Sequence, residues 1–437
     1  MKFWKWLVPG AALVLGAALV SCSQHDNPLV PRTTGSARTP GTGTYAFTEQ
    51  LNRFSASDKQ TRVIDIAYAS DEDLFTPQAP FPVLYLLHDF GGDAGFFERY
   101  GMQAILDDMY AKGEIGRMMV VTMDASSYFG GAYYRNSATS GNYEDMLTAL
   151  INYVENSGTF RIHTRAGKAA RAIGGYGMGG YGAMRYALDH PDMFGSLSSA
   201  SAPLAFGDPQ QGTGFWNPTT GMIAQMYGEN GTSAGDPNLY AALRAGWQKP
   251  NTNLFFAMSC AFSPHPLRAF DSLGHKIICK FPPGGCVLKD TVYPVEFFSA
   301  RKKGPYTFSF PAPVDTFGVG VDAIMDSSGQ LVDSLWRLWH DSADVLTVFN
   351  RKLQADGNLW KNMQIYMDVG TQNEYGYLEQ NRAFDAALTQ ANIEHTYIEY
   401  GPAGPIPSTH IEQLASRLRS IIRFHSDHLV RPEGPTK

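Results

Sequence analysis

Short, mainly apolar runs alternate with amphipathic segments along most of the chain. Apolar runs of this length, without a polar residue at every second position, are typical of strands buried on both faces of a parallel sheet. We predict such strands at Val83–Leu87, Met118–Met123, Ala169–Ile173 and Met363–Val369. Apolar residues at helical spacing predict helices at Tyr143–Val154 and Gly182–Leu188. The repeated order of strand and helix predicts an α/β fold with a mostly parallel, doubly wound central sheet flanked by helices.

The first 22 residues have the pattern of an export signal. Lys2 and Lys5 precede an apolar stretch from Leu7 to Val20, which is too short for a comfortable membrane span. We therefore predict a signal peptide over residues 1–21. The four residues Leu-Val-Ser-Cys that end the stretch resemble a bacterial lipobox, in which the cysteine, here Cys22, receives diacylglycerol. The alternative is an ordinary signal peptide with an incidental cysteine.

A change in composition near residue 45 marks the start of the predicted folded domain. Residues 22–44 are rich in Ser, Thr, Pro and Gly and have almost no apolar pattern, so we predict a flexible tether. We predict one domain over residues 45–430 and a short tail over residues 431–437. Within the domain, the region 205–310 has Gly/Pro clusters and irregular patterning, which predicts loop insertions.

Export permits disulfide bonds, and the chain has four cysteines. Cys279 and Cys286 flank a turn-forming Lys-Phe-Pro-Pro-Gly-Gly segment, so a short-loop disulfide between them is plausible. Cys260 has apolar neighbours, which indicates a buried small hydrophobic residue rather than a reactive thiol.

Charge and ligand composition exclude several classes of function. The chain has 35 Lys+Arg against 41 Asp+Glu and contains no basic block, which argues against nucleic-acid binding. The predicted membrane attachment is therefore the N-terminal lipid alone. We find no His-Glu-x-x-His motif and no His/Cys cluster, so we expect neither a metal nor another cofactor.

Residues 171–195 read as a short strand, a glycine-rich turn and a helix that ends before Pro191. This segment resembles the nucleophile elbow, G-x-S-x-G, of the putative-esterase family in the α/β-hydrolase superfamily. That family includes feruloyl and acetylxylan esterases, formylglutathione hydrolases and mycolyltransferases. The resemblance implies an α/β-hydrolase fold and carboxylesterase ancestry.

Further segments agree with the family in order and spacing, so the resemblance covers most of the predicted domain. Residues 82–93, PVLYLLHDFGGD, resemble the family's strand and HG-x-GG oxyanion loop. Residues 140–162 resemble the helix before the elbow, and residues 367–376, MDVGTQNEYG, resemble the loop that carries the catalytic acid. The resemblance implies that the backbone N–H groups of Phe90 and Met178 form an oxyanion hole. His88 and Asp89, at the end of the preceding strand, are candidates for positioning the oxyanion loop; a metal role for them would need further ligands at close spacing.

The catalytic positions depart from the family pattern. Gly177 stands at the position of the catalytic serine, and Asn373 stands at that of the acid. His410 matches the base. Acyl transfer needs an activated nucleophile, a base that takes its proton, and an acid that orients the imidazole. Two of these three roles are unfilled, so we do not expect esterase turnover by the family mechanism.

Three functions remain in competition. The leading hypothesis is noncatalytic binding of an ester, a carboxylate or an acylated carbohydrate at the helix-start amides. The second is an active carboxylesterase with a non-standard site, in which Tyr176 or Tyr181 supplies the nucleophile or Glu374 orients His410. The third is an interaction module at the cell surface or in the periplasm without a small ligand.

Two other patterns have competing interpretations. The aromatic residues Tyr128, Tyr133 and Tyr134 follow a predicted strand end, so they either line a sugar-sized pocket or cover the core. Trp336 and Trp339 lie at helical spacing, which predicts a buried helix face. Gly175-x-Gly177-x-x-Gly180 formally matches a dinucleotide fingerprint, but the region about 20 positions later is the loop segment HPDMFG after a helix and not the acidic end of a strand.

Overall fold

The computed structural model describes the ranges 43–50, 59–70, 80–127, 130–137, 140–156, 164, 167–264, 277–279, 286–288, 323–326 and 329–430. The predicted signal peptide and C-terminal tail lie outside these ranges, and so does Cys22. The first strand begins at Gly43, so the last two residues of the predicted tether belong to the sheet.

The elements are numbered in chain order within the described ranges. The strands are β1 (Gly43–Gln50), β2 (Lys59–Ala69), β3 (Val83–Leu87), β4 (Met118–Met123), β5 (Asn136–Ser137), β6 (Gly141–Asn142), β7 (Arg171–Tyr176), β8 (Ser196–Ala200), β9 (Ile277–Cys279), β10 (Cys286–Leu288), β11 (Gln364–Gly370) and β12 (Thr396–Tyr400). The helices are α1 (Met102–Ala111), α2 (Tyr143–Asn156), α3 (Met178–Asp189), α4 (Met222–Asn230), α5 (Leu239–Ala245), α6 (Pro250–Phe262), α7 (Asp333–Ser342), α8 (Val345–Ala355), α9 (Tyr377–Gln390) and α10 (Leu414–His428).

Eight of the described strands form the central sheet in the order β1-β2-β4-β3-β7-β8-β11-β12. Neighbouring strands from β4 to β12 are parallel, whereas β2 is antiparallel to β1 and β4. Helices α1 and α10 cover one face, and α2, α3, α8 and α9 cover the other. The predicted mostly parallel α/β sheet is confirmed.

The central strands form because both of their faces are buried. Along β3, Leu84 and Leu86 belong to the core on one side, while Val83, Tyr85 and Leu87 belong to the core on the other. The predicted bounds of β3 and β4 are confirmed to the residue. The strand predicted at Ala169–Ile173 instead runs from Arg171 to Tyr176, because two glycines that suggested a turn lie inside it.

Helix α3 begins four residues earlier than predicted. The Met-Gly-Gly-Tyr segment after the elbow suggested a loop, but it forms the first helical turn and is buried. A Cβ atom at Gly179 would lie 1.9 Å from the carbonyl oxygen of Leu87, so glycine permits the helix to lie directly on the sheet. Close packing, rather than chain flexibility, explains this glycine.

The described part of the 205–310 region is more regular than predicted. It contains α4, α5 and α6, and α6 is buried on almost every side. A helix without a polar face lacks the amphipathic pattern by which surface helices are detected. Cys260 lies on α6 as a buried free thiol, as predicted. Trp336 and Trp339 on α7 are also buried, as predicted.

Two further observations concern the predicted disulfide and membrane-spanning helices. Cys279 lies opposite Cys286 in the antiparallel pair of β9 and β10, so the disulfide between them stays a prediction. Among the described helices, none combines the length and apolar character needed to cross a bilayer.

A buried ion pair joins α10 to the end of β11. Arg417 donates from Nε to Asp368 Oδ1 at 3.0 Å, and a second bond from its Nη2 reaches the same oxygen. Both side chains are at most 1% exposed. Arg417 also donates to Ser201 Oγ at 2.7 Å and to the His410 carbonyl oxygen at 3.2 Å. The pair therefore links helix α10 to three segments at the carboxyl edge of the sheet.

Replacing this cation should destabilise the fold strongly. Arg417→Met leaves the Asp368 carboxylate buried without its partner, so we expect a loss of about 3–5 kcal/mol in the free energy of unfolding. Urea unfolding followed by circular dichroism measures the change. Arg419→Met is the matched control on the same helix, because Arg419 pairs with Asp108 at the surface. Equal effects of the two substitutions would contradict the assignment.

Candidate active site

The predicted catalytic positions converge at the carboxyl ends of the central strands. Gly177 follows β7, and Phe90 follows β3. Asn373 lies between β11 and α9, and His410 lies between β12 and α10. Ligand sites of open α/β sheets occur at this edge. The structure therefore brings together the positions that the family resemblance implied.

The backbone of the elbow is preserved at Gly177. Its φ and ψ are 52° and −113°, a conformation that glycine adopts without the strain of a side chain. Its N–H donates to the Ala200 carbonyl oxygen at 2.8 Å, and its own carbonyl accepts from Tyr181 N at 3.0 Å. A Cβ atom at position 177 would lie 1.9 Å from Asp89 Oδ1. The space of a catalytic side chain is therefore occupied by another residue.

That residue is Asp89, whose carboxylate lies at the centre of the site. Its Oδ1 accepts hydrogen bonds from Phe90 N at 2.7 Å and from Met178 N at 2.9 Å. Its Oδ2 lies 2.7 Å from His410 Nε2. Asp89 is only 6% exposed. The two amides expected to form an oxyanion hole thus meet on one atom, but that atom belongs to the protein itself.

This geometry corrects the expected mode of ligand binding. The leading hypothesis assigned the N–H groups of Phe90 and Met178 to an external ester or carboxylate. In the structure both groups already donate to Asp89 Oδ1. An external acceptor can reach them only after the Asp89 carboxylate has moved away.

His88 holds the backbone of the loop that presents Asp89. His88 is fully buried, and its Nε2 accepts from Ala125 N at 2.8 Å. Its Nδ1 then carries the proton and donates to the Asp89 carbonyl oxygen at 2.7 Å. Burial lowers the pKa of His88, which favours this neutral ring. The histidine therefore has a structural role in the site.

His410 has polar partners on both ring nitrogens and aromatic neighbours around them. Asn373 Nδ2 lies 3.2 Å from its Nδ1. The rings of Tyr375 and Tyr377 lie edge-on to the imidazole, at centroid distances of 5.1 and 5.7 Å. The alternative orienting group, Glu374, accepts from the backbone N of His410 at 2.7 Å and makes no described bond to the ring. Glu374 therefore positions the loop rather than the imidazole.

The hydroxyl groups of the two tyrosines considered as substitute nucleophiles are hydrogen-bonded to other residues. Tyr176 Oη donates to the His410 carbonyl oxygen and accepts from Arg417. Tyr181 Oη donates to the Ala343 carbonyl oxygen at 2.9 Å. Burial raises the pKa of Tyr176, and burial raises the pKa of Tyr181 to about 12. Both phenols are buried, protonated and bonded, so the structure does not support them as nucleophiles.

The predicted aromatic loop belongs to the core where it is described. Tyr133 and Tyr134 are buried at positive φ values of 53° and 52°. Tyr134 donates to the His88 carbonyl oxygen at 3.3 Å, and the two rings lie 5.8 Å apart. Tyr134 therefore packs against the histidine loop, whereas the Tyr133 ring packs against Tyr181 and Phe262. Both residues cover the core, which was one of the two predicted alternatives. Tyr128 lies outside the described residues.

Two other site types lack support within the described ranges. The strand after the Gly175-x-Gly177-x-x-Gly180 segment ends at Ala200, and the residue that follows is Ser201, so the acidic residue of a dinucleotide site is missing. The described His, Cys, Asp and Glu side chains form no group of three or more that could hold a metal ion.

The sequence pointed to Asp89 only as a residue that positions the oxyanion loop and missed that its carboxylate occupies the space of the nucleophile side chain. The signal was available in the segment His88-Asp89-Phe90-Gly91-Gly92, because the family's HG-x-GG pattern has glycine at the second position. A carboxylate at that position and a glycine at position 177 are separate departures in the sequence, and they adjoin only in the folded chain.

Comparisons with known proteins identify the family. A family model described as "Putative esterase" matches residues 70–410. Esterase Rv1288 and Esterase MT1326 of Mycobacterium tuberculosis are each 29% identical to this chain over 217 residues, covering 46% of this chain and 43% of theirs. The match thus spans less than half the length of these curated relatives.

Solved structures of esterases also align with the chain at low sequence identity. A ferulic acid esterase aligns with a TM-score of 0.49 and 14% identity, covering 89% of this chain and 99% of that one. An S-formylglutathione hydrolase from Agrobacterium tumefaciens aligns with a TM-score of 0.48 and 12% identity, covering 92% and 99%.

The contact between position 177 and Asp89 predicts a specific instability. Gly177→Ala places a methyl group on the carboxylate and displaces it from its donors, so we expect a loss of about 3 kcal/mol or more in the free energy of unfolding. The control for a positive φ without the contact is Gly231→Ala, because Gly231 has a φ of 61° and a ψ of 34° and no atom within 4 Å of its Cβ position. That control should lose about 1–2 kcal/mol from backbone strain alone. Urea unfolding of both variants would show similar losses if the contact were unimportant.

Proposed function

Because the chain belongs to the Putative esterase family of α/β-hydrolases, we propose that it is a member that has lost serine-dependent ester hydrolysis and acts by binding. The observation that carries this proposal is the Asp89 carboxylate in the space of the nucleophile side chain. Gly177 has no hydroxyl group, and Asp89 accepts hydrogen bonds from both oxyanion-hole N–H groups. A developing oxyanion would therefore find no free donor at the place where the family stabilises it.

Asp89 does not replace the serine chemically. Attack of a carboxylate on an ester carbonyl would form an acid anhydride, which is higher in energy than the ester. The Asp89 carboxylate would also have to move away from the two backbone N–H groups before the carbonyl oxygen of a substrate could accept hydrogen bonds from them. The site therefore opposes acyl transfer in two ways: it has no suitable nucleophile, and the donors of its oxyanion hole are already bonded to Asp89. An active carboxylesterase with a non-standard site is correspondingly disfavoured.

The proposed ligand class follows from the substrates of the family and from the partly exposed residues at the rim of the site. We propose an ester, a carboxylate or an acylated carbohydrate as the ligand class, since family members act on acylated compounds. Such a ligand would contact the rim, where Phe90 and Tyr375 are partly exposed, and not the two amides. The filled hole also favours the second candidate, a noncatalytic interaction module. Thermal-shift titration with acetylated and feruloylated xylo-oligosaccharides distinguishes the two candidates.

We further propose that the protein works at the bacterial cell envelope. The signal-like residues 1–21 and the lipobox-like cysteine support export and attachment of a lipid to Cys22. The mature protein would then be a lipoprotein facing the periplasm or the cell surface, tethered by residues 22–44. This location is where acylated polysaccharides are accessible to a tethered domain.

The natural protein should show no serine-hydrolase reactivity. We expect no covalent adduct after treatment with a fluorophosphonate, as measured by mass spectrometry of the intact protein. Hydrolysis of p-nitrophenyl acetate should be at least about 10³-fold slower than for an active family member. His410→Ala is the matched control, and it should leave any background hydrolysis unchanged. An adduct mapped to a residue of the site, or loss of hydrolysis in His410→Ala, would refute the proposal.

Membrane attachment should depend on one sulfur atom. In a bacterial host, the natural protein should fractionate with membranes and carry a diacylglycerol group, detected by mass spectrometry of its N-terminal peptide. Cys22→Ser removes the acceptor thiol, so this variant should lose the lipid and appear in the soluble envelope fraction. Cys260→Ser, which changes the buried thiol of α6, is the control and should remain membrane-bound. Unchanged membrane association of Cys22→Ser would contradict lipid anchoring.

A further inference from the structure

Three departures from the esterase pattern are connected: Asp89 and Asn373 lie on opposite ring nitrogens of His410, and Gly177 adjoins Asp89. We infer that they form one interdependent set, in which Asp89 takes the place of the missing serine in space and reverses the hydrogen bonds through His410. Asp89 is thus a positioning residue that fixes the histidine in a noncatalytic state. The inference concerns the same site as the proposed function, and only its reactivation experiment rests on the proposed loss of serine chemistry.

The orientation of the Asn373 amide determines the direction of these bonds. Its Oδ1 accepts from Tyr375 N at 3.0 Å and from Tyr377 N at 3.2 Å. A carbonyl oxygen can accept both bonds, whereas an NH₂ group at that position would face two donors. The amide nitrogen must therefore point toward His410 Nδ1, which lies 3.2 Å away.

The proton of the imidazole follows from this orientation. Because Asn373 donates to Nδ1, that nitrogen accepts and carries no hydrogen. The proton of the neutral ring is then on Nε2, which donates to Asp89 Oδ2 at 2.7 Å. The chain of donors runs from Asn373 through His410 to Asp89, whose other oxygen accepts from two backbone amides.

A serine triad has the opposite direction. There, the acid accepts a hydrogen bond from Nδ1–H, and Nε2 is unprotonated so that it can take the proton of the serine. In this protein Nε2 has no lone pair available for that proton. An aspartate at position 373 would place a second carboxylate on the same ring, opposite Asp89. Asparagine is therefore the residue type that suits a site already containing Asp89.

Gly177, the third member of the set, is linked to Asp89 because a side chain at position 177 would need the space of the Asp89 carboxylate. The Cβ position of residue 177 lies 1.9 Å from Asp89 Oδ1 and 2.9 Å from Oδ2, so a serine and the observed carboxylate cannot both be present. Conversely, loss of Asp89 would leave the amides of Phe90 and Met178 without their acceptor. Each of the three residues is thus compatible with the other two and incompatible with a working triad.

The reactivation experiment follows from this interdependence. The double variant Gly177→Ser/Asn373→Asp restores the family residues but retains Asp89, whose carboxylate cannot keep its place beside a side chain at position 177. The displaced carboxylate would still compete with the introduced hydroxyl group for His410 and for the two amides. The triple variant Asp89→Gly/Gly177→Ser/Asn373→Asp frees Nε2 and both amides. With a fluorophosphonate, the introduced hydroxyl oxygen would bond to phosphorus, fluoride would leave, and His410 Nε2 would take the hydroxyl proton.

We expect the triple variant to be labelled at least about 100-fold faster than the double variant, as measured by intact-protein mass spectrometry over time. Circular dichroism and thermal unfolding confirm that each variant is folded. Equal labelling of the two folded variants, whether fast or absent, would overturn the inference. Labelling of the natural protein would instead refute the proposed function, so the two failures are distinguishable.

A spectroscopic measurement tests the inference without substrate and without relying on the triple variant. In the full-length protein labelled with ¹⁵N-histidine, two-bond ¹⁵N–¹H correlations report which ring nitrogen carries the proton, and His410→Gln assigns the signal. We expect Nε2–H with Nδ1 unprotonated. Asn373→Asp should protonate both nitrogens, while Asn358→Asp, the same substitution on an exposed loop, should change nothing. A proton on Nδ1 alone in the natural protein would overturn the inference.

Discussion

The Asp89 carboxylate and its three donors are the interaction on which the site depends. A buried carboxylate is stable only when hydrogen bonds replace its lost hydration. Asp89 obtains them from the oxyanion loop, from the first turn of α3 and from His410. Those donors come from three segments that are distant in sequence, so the carboxylate also holds the segments together. The group that would block an enzyme is therefore a point of attachment for the fold.

The surrounding network holds each donor at the required place. His88 fixes the oxyanion loop through Ala125 N. Tyr176 and Arg417 bind the carbonyl oxygen of His410, and Arg417 is in turn paired with the buried Asp368. Because buried polar groups are costly when any member is unpaired, such a network persists only if it is fully connected. The carboxyl edge of the sheet is thus held in place by bonds between several segments around Asp89 and His410.

The sequence predicted the elements whose patterns are simple and missed those whose patterns are mixed. Strands β3 and β4 are apolar on both faces, so their bounds were predictable to the residue. Strand β8 was missed because its sequence, Ser-Leu-Ser-Ser-Ala, looks polar. Two of its three buried serines are satisfied by one side chain, because the ring of His425 bonds to Ser196 Oγ and Ser198 Oγ, each at 2.8 Å. Such compensation between a strand and a helix cannot be read from either segment alone.

The same distinction applies to the site. Gly177, Asn373 and His410 were predictable because each lies in a local motif with a fixed order. Asp89 was predictable only as a residue of the oxyanion loop, because its central role depends on a contact with position 177 that only the fold creates. Active sites often retain strain and unpaired donors that favour the transition state at the expense of stability. Here glycine removes the strain of the elbow, and the carboxylate satisfies both oxyanion amides. Under the proposed loss of serine chemistry, the residues that remove the nucleophile also relieve backbone strain at position 177 and satisfy two buried N–H donors.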